Sequence, residues 1–158
     1  MTDPHAPLEI VLWRHAEAED GLDDLARALT AKGHRQAERM GRWLDALLPP
    51  DARVLVSPAL RAQQTVQGLG RAFETVPEIA PGAAPEAILA VAAVGGANAT
   101  GCVLLVGHQP TLGQAAARLL TGQAGHMELK KGSVTWLRRA PGNASFHLKV
   151  AMTPALLK

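Results

Sequence analysis

Apolar residues along this chain follow two spacings. Short continuous runs occur at Leu8-Glu9-Ile10-Val11-Leu12-Trp13, at Val54-Leu55-Val56 behind Arg53, and at Cys102-Val103-Leu104-Leu105-Val106. Runs this short, bounded by polar residues, read as buried strands. Between them the apolar positions recur at helical intervals. Ala37, Met40, Leu44 and Leu47 line one face of a helix expected over 31–48, with Thr30 as its N-cap and Pro49-Pro50 as its stop. Ser57 is expected to cap a second helix, with Pro58 in the first position, running to about Phe73. A third helix is expected over 85–94, ahead of the Gly-rich stretch 95–101. Thr111 and Gln114 have the T-x-x-Q spacing of a capping box for a fourth, through Leu120. Segments 133–138 and 146–152 read as two late strands joined at Pro141-Gly142-Asn143.

Strands alternating with helices predict an α/β fold, with helices on both faces of a largely parallel sheet. The final hairpin adds an antiparallel edge. Residues 1–7 read as a tail and 8–158 as one domain.

Composition narrows the function classes. With 158 residues, 47% of them hydrophobic, the chain can bury a sizeable core, but 3% aromatics leave that core to Ala, Val and Leu. A net charge of +2, with no basic run and few aromatic residues for base stacking, argues against a nucleic-acid partner. The single Cys102 lies in an apolar run and reads as a small buried hydrophobe. The segment 1–7 does not have the pattern of a signal peptide, and no run reaches the ~20 apolar residues of a membrane span. A soluble, cytoplasmic monomer with no membrane partner is expected. His5, His34, His126 and His147 have no ligand spacing, and the acidic group 17–24 lacks the order of a calcium loop, so no metal or other cofactor is expected. That acidic group reads as a solvated loop bordering whatever site lies nearby.

Four separated segments carry the chemistry. They are Leu12-Trp13-Arg14-His15, Arg27-Ala28-Leu29-Thr30, Ser57-Pro58-Ala59-Leu60-Arg61 and Gly107-His108-Gln109-Pro110. Open α/β sheets place their sites beyond the carboxyl ends of the strands, which is where Arg14, His15, Ser57, Arg61 and His108 fall. A phosphoryl group in transfer spreads its charge over its oxygens, and arginine's planar fork bonds two of them. Arg14 and Arg61 are the natural clamp, and Ser57 can add a hydroxyl donor. Neighbouring arginines disfavour imidazolium, so His15 or His108 should be neutral near pH 7. Two histidines with different roles fit covalent phosphoryl transfer better than metal hydrolysis.

The Arg14-His15-Ala16 segment, the Leu29-Thr30-x-x-Gly33 helix start, Ser57-Pro58-x-x-Arg61-Ala62-x-Gln64-Thr65 and Gly107-His108-x-Pro110 resemble the histidine phosphatase (phosphoglycerate mutase-like) superfamily. The short stretch between Phe73 and Cys102 is most similar to its SixA-type phosphohistidine phosphatases. The resemblance spans about residues 8–155. It implies a three-layer α/β/α sandwich around a mixed sheet and a phosphatase that needs no metal. It implies His15 as the transiently phosphorylated nucleophile, with Arg14, Arg61 and His108 holding the phosphoryl oxygens and Arg27 as an additional substrate-binding arginine. Its substrate would be a phosphohistidine-bearing signalling protein, such as a histidine phosphotransfer domain. Two positions depart from the family pattern: Ala16 replaces the usual glycine, and the general acid has only a loose candidate in Glu78. Two other readings remain open. One is a small-molecule phosphomonoesterase of the same superfamily, which would depend on a real general acid. The other is a non-catalytic phosphate-binding adaptor, which would not need the nucleophile.

Overall fold

The computed structural model describes residues 7–92, 101–140, 142–143 and 145–158. The first apolar run forms β1 (Leu8–Arg14) and leads to α1 (Ala31–Leu47). Thr30 caps α1 as expected, its Oγ1 accepting the Gly33 N–H at 2.9 Å. There follow β2 (Arg53–Val56), α2 (Leu60–Gln67), the two-residue β3 (Glu74–Thr75), α3 (Pro85–Val91) and β4 (Gly101–Gly107). The chain ends with α4 (Thr111–Thr121) and the hairpin of β5 (Val134–Arg139) and β6 (Phe146–Met152).

The strands form a six-stranded sheet in the order β3-β2-β4-β1-β5-β6. Among the described strands β5 alone runs against the others. The parallel part is joined by α1, α2 and α3, because parallel neighbours need crossover connections. Alternation along β1 divides the core. Leu8, Ile10 and Leu12 pack with Leu55, Val103 and Leu105 against Ile88 of α3 and Leu112, Ala115 and Leu119 of α4. Val11 and Trp13 pack with Val54, Val56, Leu104 and Val106 against Met40 and Leu44 of α1 and Ala62 and Val66 of α2. The result is a three-layer α/β/α sandwich with a mostly parallel mixed sheet.

Scarce aromatics are matched by close helix packing. A Cβ at Gly41 would lie 2.1 Å from the carbonyl oxygen of Gly68, so α1 and the end of α2 meet backbone to backbone. Cys102 is buried, and that burial pushes its thiol up to about 12, leaving it inert as a nucleophile.

Several local expectations give way to tertiary demands. Leu47 is 53% exposed, and Leu48 takes the core position as the chain turns toward the prolines. Ser57 does not cap a helix starting at Pro58. Its Oγ accepts the Ala59 N–H at 3.2 Å in a turn ahead of α2, which begins at Leu60. That helix stops at Gln67 rather than Phe73, because Gly70 turns at φ +73° and Glu74–Thr75 is drawn into the sheet beside β2. Thr111 and Gln114 form no capping box. The Thr111 hydroxyl donates to the Ala83 carbonyl at 2.6 Å, while Gln109 Oε1 accepts the Gly113 N–H at 2.8 Å. The tail through residue 6 with His5, the end of the expected third helix at 93–94, the glycine-rich positions 95–100, and Pro141 lie outside the described residues.

Candidate active site

β1 and β4 are neighbours, but α1 follows β1 onto one face and α4 follows β4 onto the other. Such a divergence opens a crevice at the carboxyl ends of the strands. Arg14 and His15 reach it from the end of β1, His108 from the end of β4, Ser57 from the end of β2 and Arg61 from the first turn of α2. The strand pairing continues into the site: the His15 N–H donates to the Gly107 carbonyl and the Ser57 N–H to the Val106 carbonyl, both at 3.0 Å. The imidazoles of His15 and His108 lie 5.2 Å apart between ring centroids, tilted by 51°.

His15 is buried, and its Nδ1 donates to the Ala16 carbonyl at 2.8 Å. A carbonyl oxygen can only accept, so the ring proton resides on Nδ1 and Nε2 keeps a free lone pair. His108 is held differently, with Nε2 2.7 Å from Ser57 Oγ. Ser57 Oγ also accepts the Ala59 N–H, so the hydroxyl ties His108 to the turn ahead of α2. Among the described residues four buried side-chain polar atoms lack a partner, and three are Arg14 Nε, Arg61 Nε and His108 Nδ1. Buried donors without acceptors are costly, and an anion in the crevice would supply acceptors to the two arginine Nε–H groups.

Both histidines are neutral near pH 7. Burial lowers His15 to about 4, with further lowering from Arg61, Arg14 and Arg27 against the raising effect of the Ala16 bond. Burial lowers His108 to about 3, assisted by His15, Arg61 and Arg14. The arginines act in the expected sense, but burial is the larger cause. The linkage to folding has a definite sign. Below the ordinary histidine pKa near 6.5 the unfolded chain binds protons that the folded chain refuses until about pH 4 and 3. Stability therefore falls as pH drops through that window, by roughly 3 kcal/mol for His15 alone. Urea melts at pH 7 and pH 4 should show this loss, and it should be smaller in His15→Asn.

The acidic segment is exposed from Glu19 to Ala26, and it borders the site through Asp24 and the Glu19 backbone. Arg61 Nη1 donates to the Asp24 carbonyl at 2.6 Å and Nη2 to Asp24 Oδ2 at 3.1 Å. Arg27 Nη1 donates to Asp24 Oδ1 at 3.1 Å, and its Nε to the Glu19 carbonyl at 2.8 Å. Bonds from Arg27 and Arg61 lower the Asp24 carboxyl below its ordinary pKa. The structure thus brings Arg14, His15, Ser57, Arg61 and His108 to one crevice, with Arg27 at its edge. Glu78 is exposed in a single turn (Pro77–Ile79) that follows edge strand β3. It forms no hydrogen bond or ion pair among the described residues.

Four supporting residues were not recognisable as such from sequence. Thr65 Oγ1 accepts the Ala16 N–H at 3.0 Å and donates to the Arg61 carbonyl at 2.7 Å, tying the two sides of the site together. Gln64 Oε1 accepts the Leu29 N–H at 2.7 Å, and Asp24 bridges the arginines. Gly33 allows α1 to approach the segment after His15: a Cβ there would lie 2.0 Å from the Glu17 carbonyl oxygen. Gly33→Ala should displace residues 15–17 or the start of α1, costing about 2–3 kcal/mol in a denaturant melt. Gln64, Thr65 and Gly33 all lie within the sequence motifs, and Asp24 precedes Arg27 by three residues; the spacing was visible but not the partner.

The family model of the histidine phosphatase superfamily (branch 1) matches residues 10–84. The phosphohistidine phosphatase SixA homolog of Haemophilus influenzae is 32% identical over 126 residues, covering 71% of this chain and 77% of the relative. The chain belongs to the histidine phosphatase superfamily. Phosphohistidine phosphatase SixA of Escherichia coli K12 is 28% identical over 158 residues, 96% of this chain and 97% of that one. The solved structure of the protein histidine phosphatase SixA complexed with tungstate superposes with a TM-score of 0.80 at 25% identity, covering 94% of this chain and 99% of that chain. This phosphatase is therefore a SixA-like hydrolase. Ala16 packs, fully buried, with Leu29, Ala37 and Ala18, so its methyl group has a place in a small apolar cluster.

Proposed function

We propose that the protein is a metal-independent phosphohistidine phosphatase acting on a phosphorylated signalling protein of the histidine phosphotransfer type. The observation that carries this reading is the His15 tautomer. With Nδ1 engaged by Ala16, the Nε2 lone pair is available for attack among three arginines and a second histidine. Nε2 attacks phosphorus in line, the P–N bond to the substrate imidazole breaks, and that imidazole leaves with a proton from solvent or a site donor. Water then attacks phospho-His15, releasing phosphate and restoring the free imidazole. Arg14, Arg61 and His108 stabilise the equatorial oxygens, with Ser57 positioning His108 and Arg27 contributing at the edge. The cationic side chains perform the charge neutralisation that a metal ion performs elsewhere. The relatives named for phosphohistidine phosphatase activity support the substrate class, as does tungstate, a tetrahedral oxyanion, in the solved relative.

An imidazole leaving group needs less acid assistance than an alkoxide, so this reading does not depend on Glu78 as a general acid. The reading places all of residues 8–158 in one catalytic domain working as a monomer. It is tested by turnover, in excess EDTA, of a phosphorylated histidine phosphotransfer domain and of an aryl phosphate. Faster turnover of the phosphoprotein supports it. A large preference for the aryl ester would convert the reading to a general phosphomonoesterase, and inhibition by EDTA would remove metal independence.

A further inference from the structure

A groove of about 910 Å³ opens beside the catalytic crevice and shares Arg14 with it. Its cations are Arg14, Lys32, Arg35, Arg39, Lys130 and Lys131, against the two carboxylates Glu17 and Glu128. The chain as a whole has a net charge of only +2, so positive charge is concentrated here. Lys32, Arg35 and Arg39 follow one another along α1 at helical spacing, and Lys130 and Lys131 face them from the segment before β5. All five are exposed, and none makes an ion pair among the described residues, although Asp24, Asp45, Glu9 and Glu86 are each paired elsewhere.

We propose that this groove is the docking surface for an acidic face of the phosphorylated protein substrate, a proposal that rests on the functional reading above. Charge complementarity identifies the occupant. A site for a single small anion would present buried polar side chains aimed at one point, whereas these five cations are solvated and spread over two elements. A nucleic acid would meet no aromatic side chain for base stacking in the lining, and two carboxylates that oppose a continuous phosphate backbone. An acidic protein surface can pair with the cations and leave room for Glu17 and Glu128 to meet basic or polar groups. Arg14 connects the two regions: its Nη1 is anchored to the Leu129 carbonyl at 2.7 Å, within the segment that carries Lys130 and Lys131. A protein seated on α1 and that segment would thereby present its phosphorylated side chain toward His15.

The test compares wild type with Lys32→Glu/Arg35→Glu/Arg39→Glu, and separately with Lys130→Glu/Lys131→Glu. The substrates are a phosphorylated histidine phosphotransfer domain of net negative charge and free phosphoimidazole. The expected result is a fall in kcat/KM of about 10- to 100-fold on the phosphoprotein, carried by KM, with little change on phosphoimidazole. The salt dependence of the wild-type reaction should also flatten in the variants. An unchanged KM on the phosphoprotein with active wild type overturns the docking proposal alone. Equal losses on both substrates also overturn it, because the residues would then serve the fold or the chemistry. Binding of a mixed-sequence oligonucleotide that the same variants abolish, with the phosphoprotein KM unmoved, assigns the groove to nucleic acid instead. Wild type that turns over phosphoimidazole or aryl phosphate but not the phosphoprotein overturns the functional reading and the docking proposal with it.

Discussion

His15→Ala is expected to lose about 10⁴-fold or more in kcat on a phosphohistidine substrate, because it removes the attacking nitrogen itself. The variant should remain folded, since alanine leaves the pairing of β1 with β4 and β5 intact. It should be less sensitive to acid than wild type, having lost a histidine that the fold keeps neutral down to about pH 4. Rapid quench with labelled phosphoprotein supplies the direct measurement. Wild type should carry phosphate in a linkage that survives alkali and is lost in acid, while His15→Ala should carry none. Label retained by His15→Ala would transfer the nucleophile to His108, whose Nε2 is engaged by Ser57.

Arg61→Ala should show the second largest effect, a loss of about 10³-fold in kcat/KM, as expected for removing a charged donor from a water-poor transition-state site. Arg61 is 4% exposed and spans from Asp24 to the crevice, so the substitution also leaves a void. Arg61→Lys separates the two contributions. Lysine retains the charge and most of the volume but not the planar fork, and it should recover about tenfold of the loss. Recovery of full activity by lysine would show that Arg61 acts only as a charge, whereas no recovery with an unchanged melting curve would place the whole effect in its two-pronged geometry.

The extent to which sequence revealed the fold depended on how local each signal was. The strands at 8–14, 53–56 and 101–107 were legible because buried parallel strands are continuous apolar runs with little local ambiguity. Thr30 was legible as a cap because its partner, Gly33, is three residues away. Ser57 and Thr111 were misread because the same hydroxyl that can cap a helix was engaged over long range, by His108 and by Ala83. Residues 68–73 were misread as helix because the chain there turns to bring Glu74–Thr75 to a sheet edge that β2 provides. The site residues stood out because arginine and histidine are unusual at strand ends. Their supports, Thr65 and Asp24, did not, since their roles exist only once loop, helix and strand meet. The basic groove was invisible as a run because its lysines and arginines come from two segments separated by about ninety positions.

The ion pair between Asp24 and Arg61 bears on the end of the catalytic cycle. Inorganic phosphate is the last species to leave, and an arginine fork that stabilises phosphoryl oxygens in transfer would also retain them afterwards. Asp24 is tethered to the same chain and 53% exposed, so it competes for Arg61 at an effective concentration on the order of millimolar or higher. The carboxylate can close onto the fork as the product departs. Accumulated phosphate therefore inhibits only once it outcompetes a partner that cannot diffuse away, and the phosphatase can keep working as its own product builds up around it.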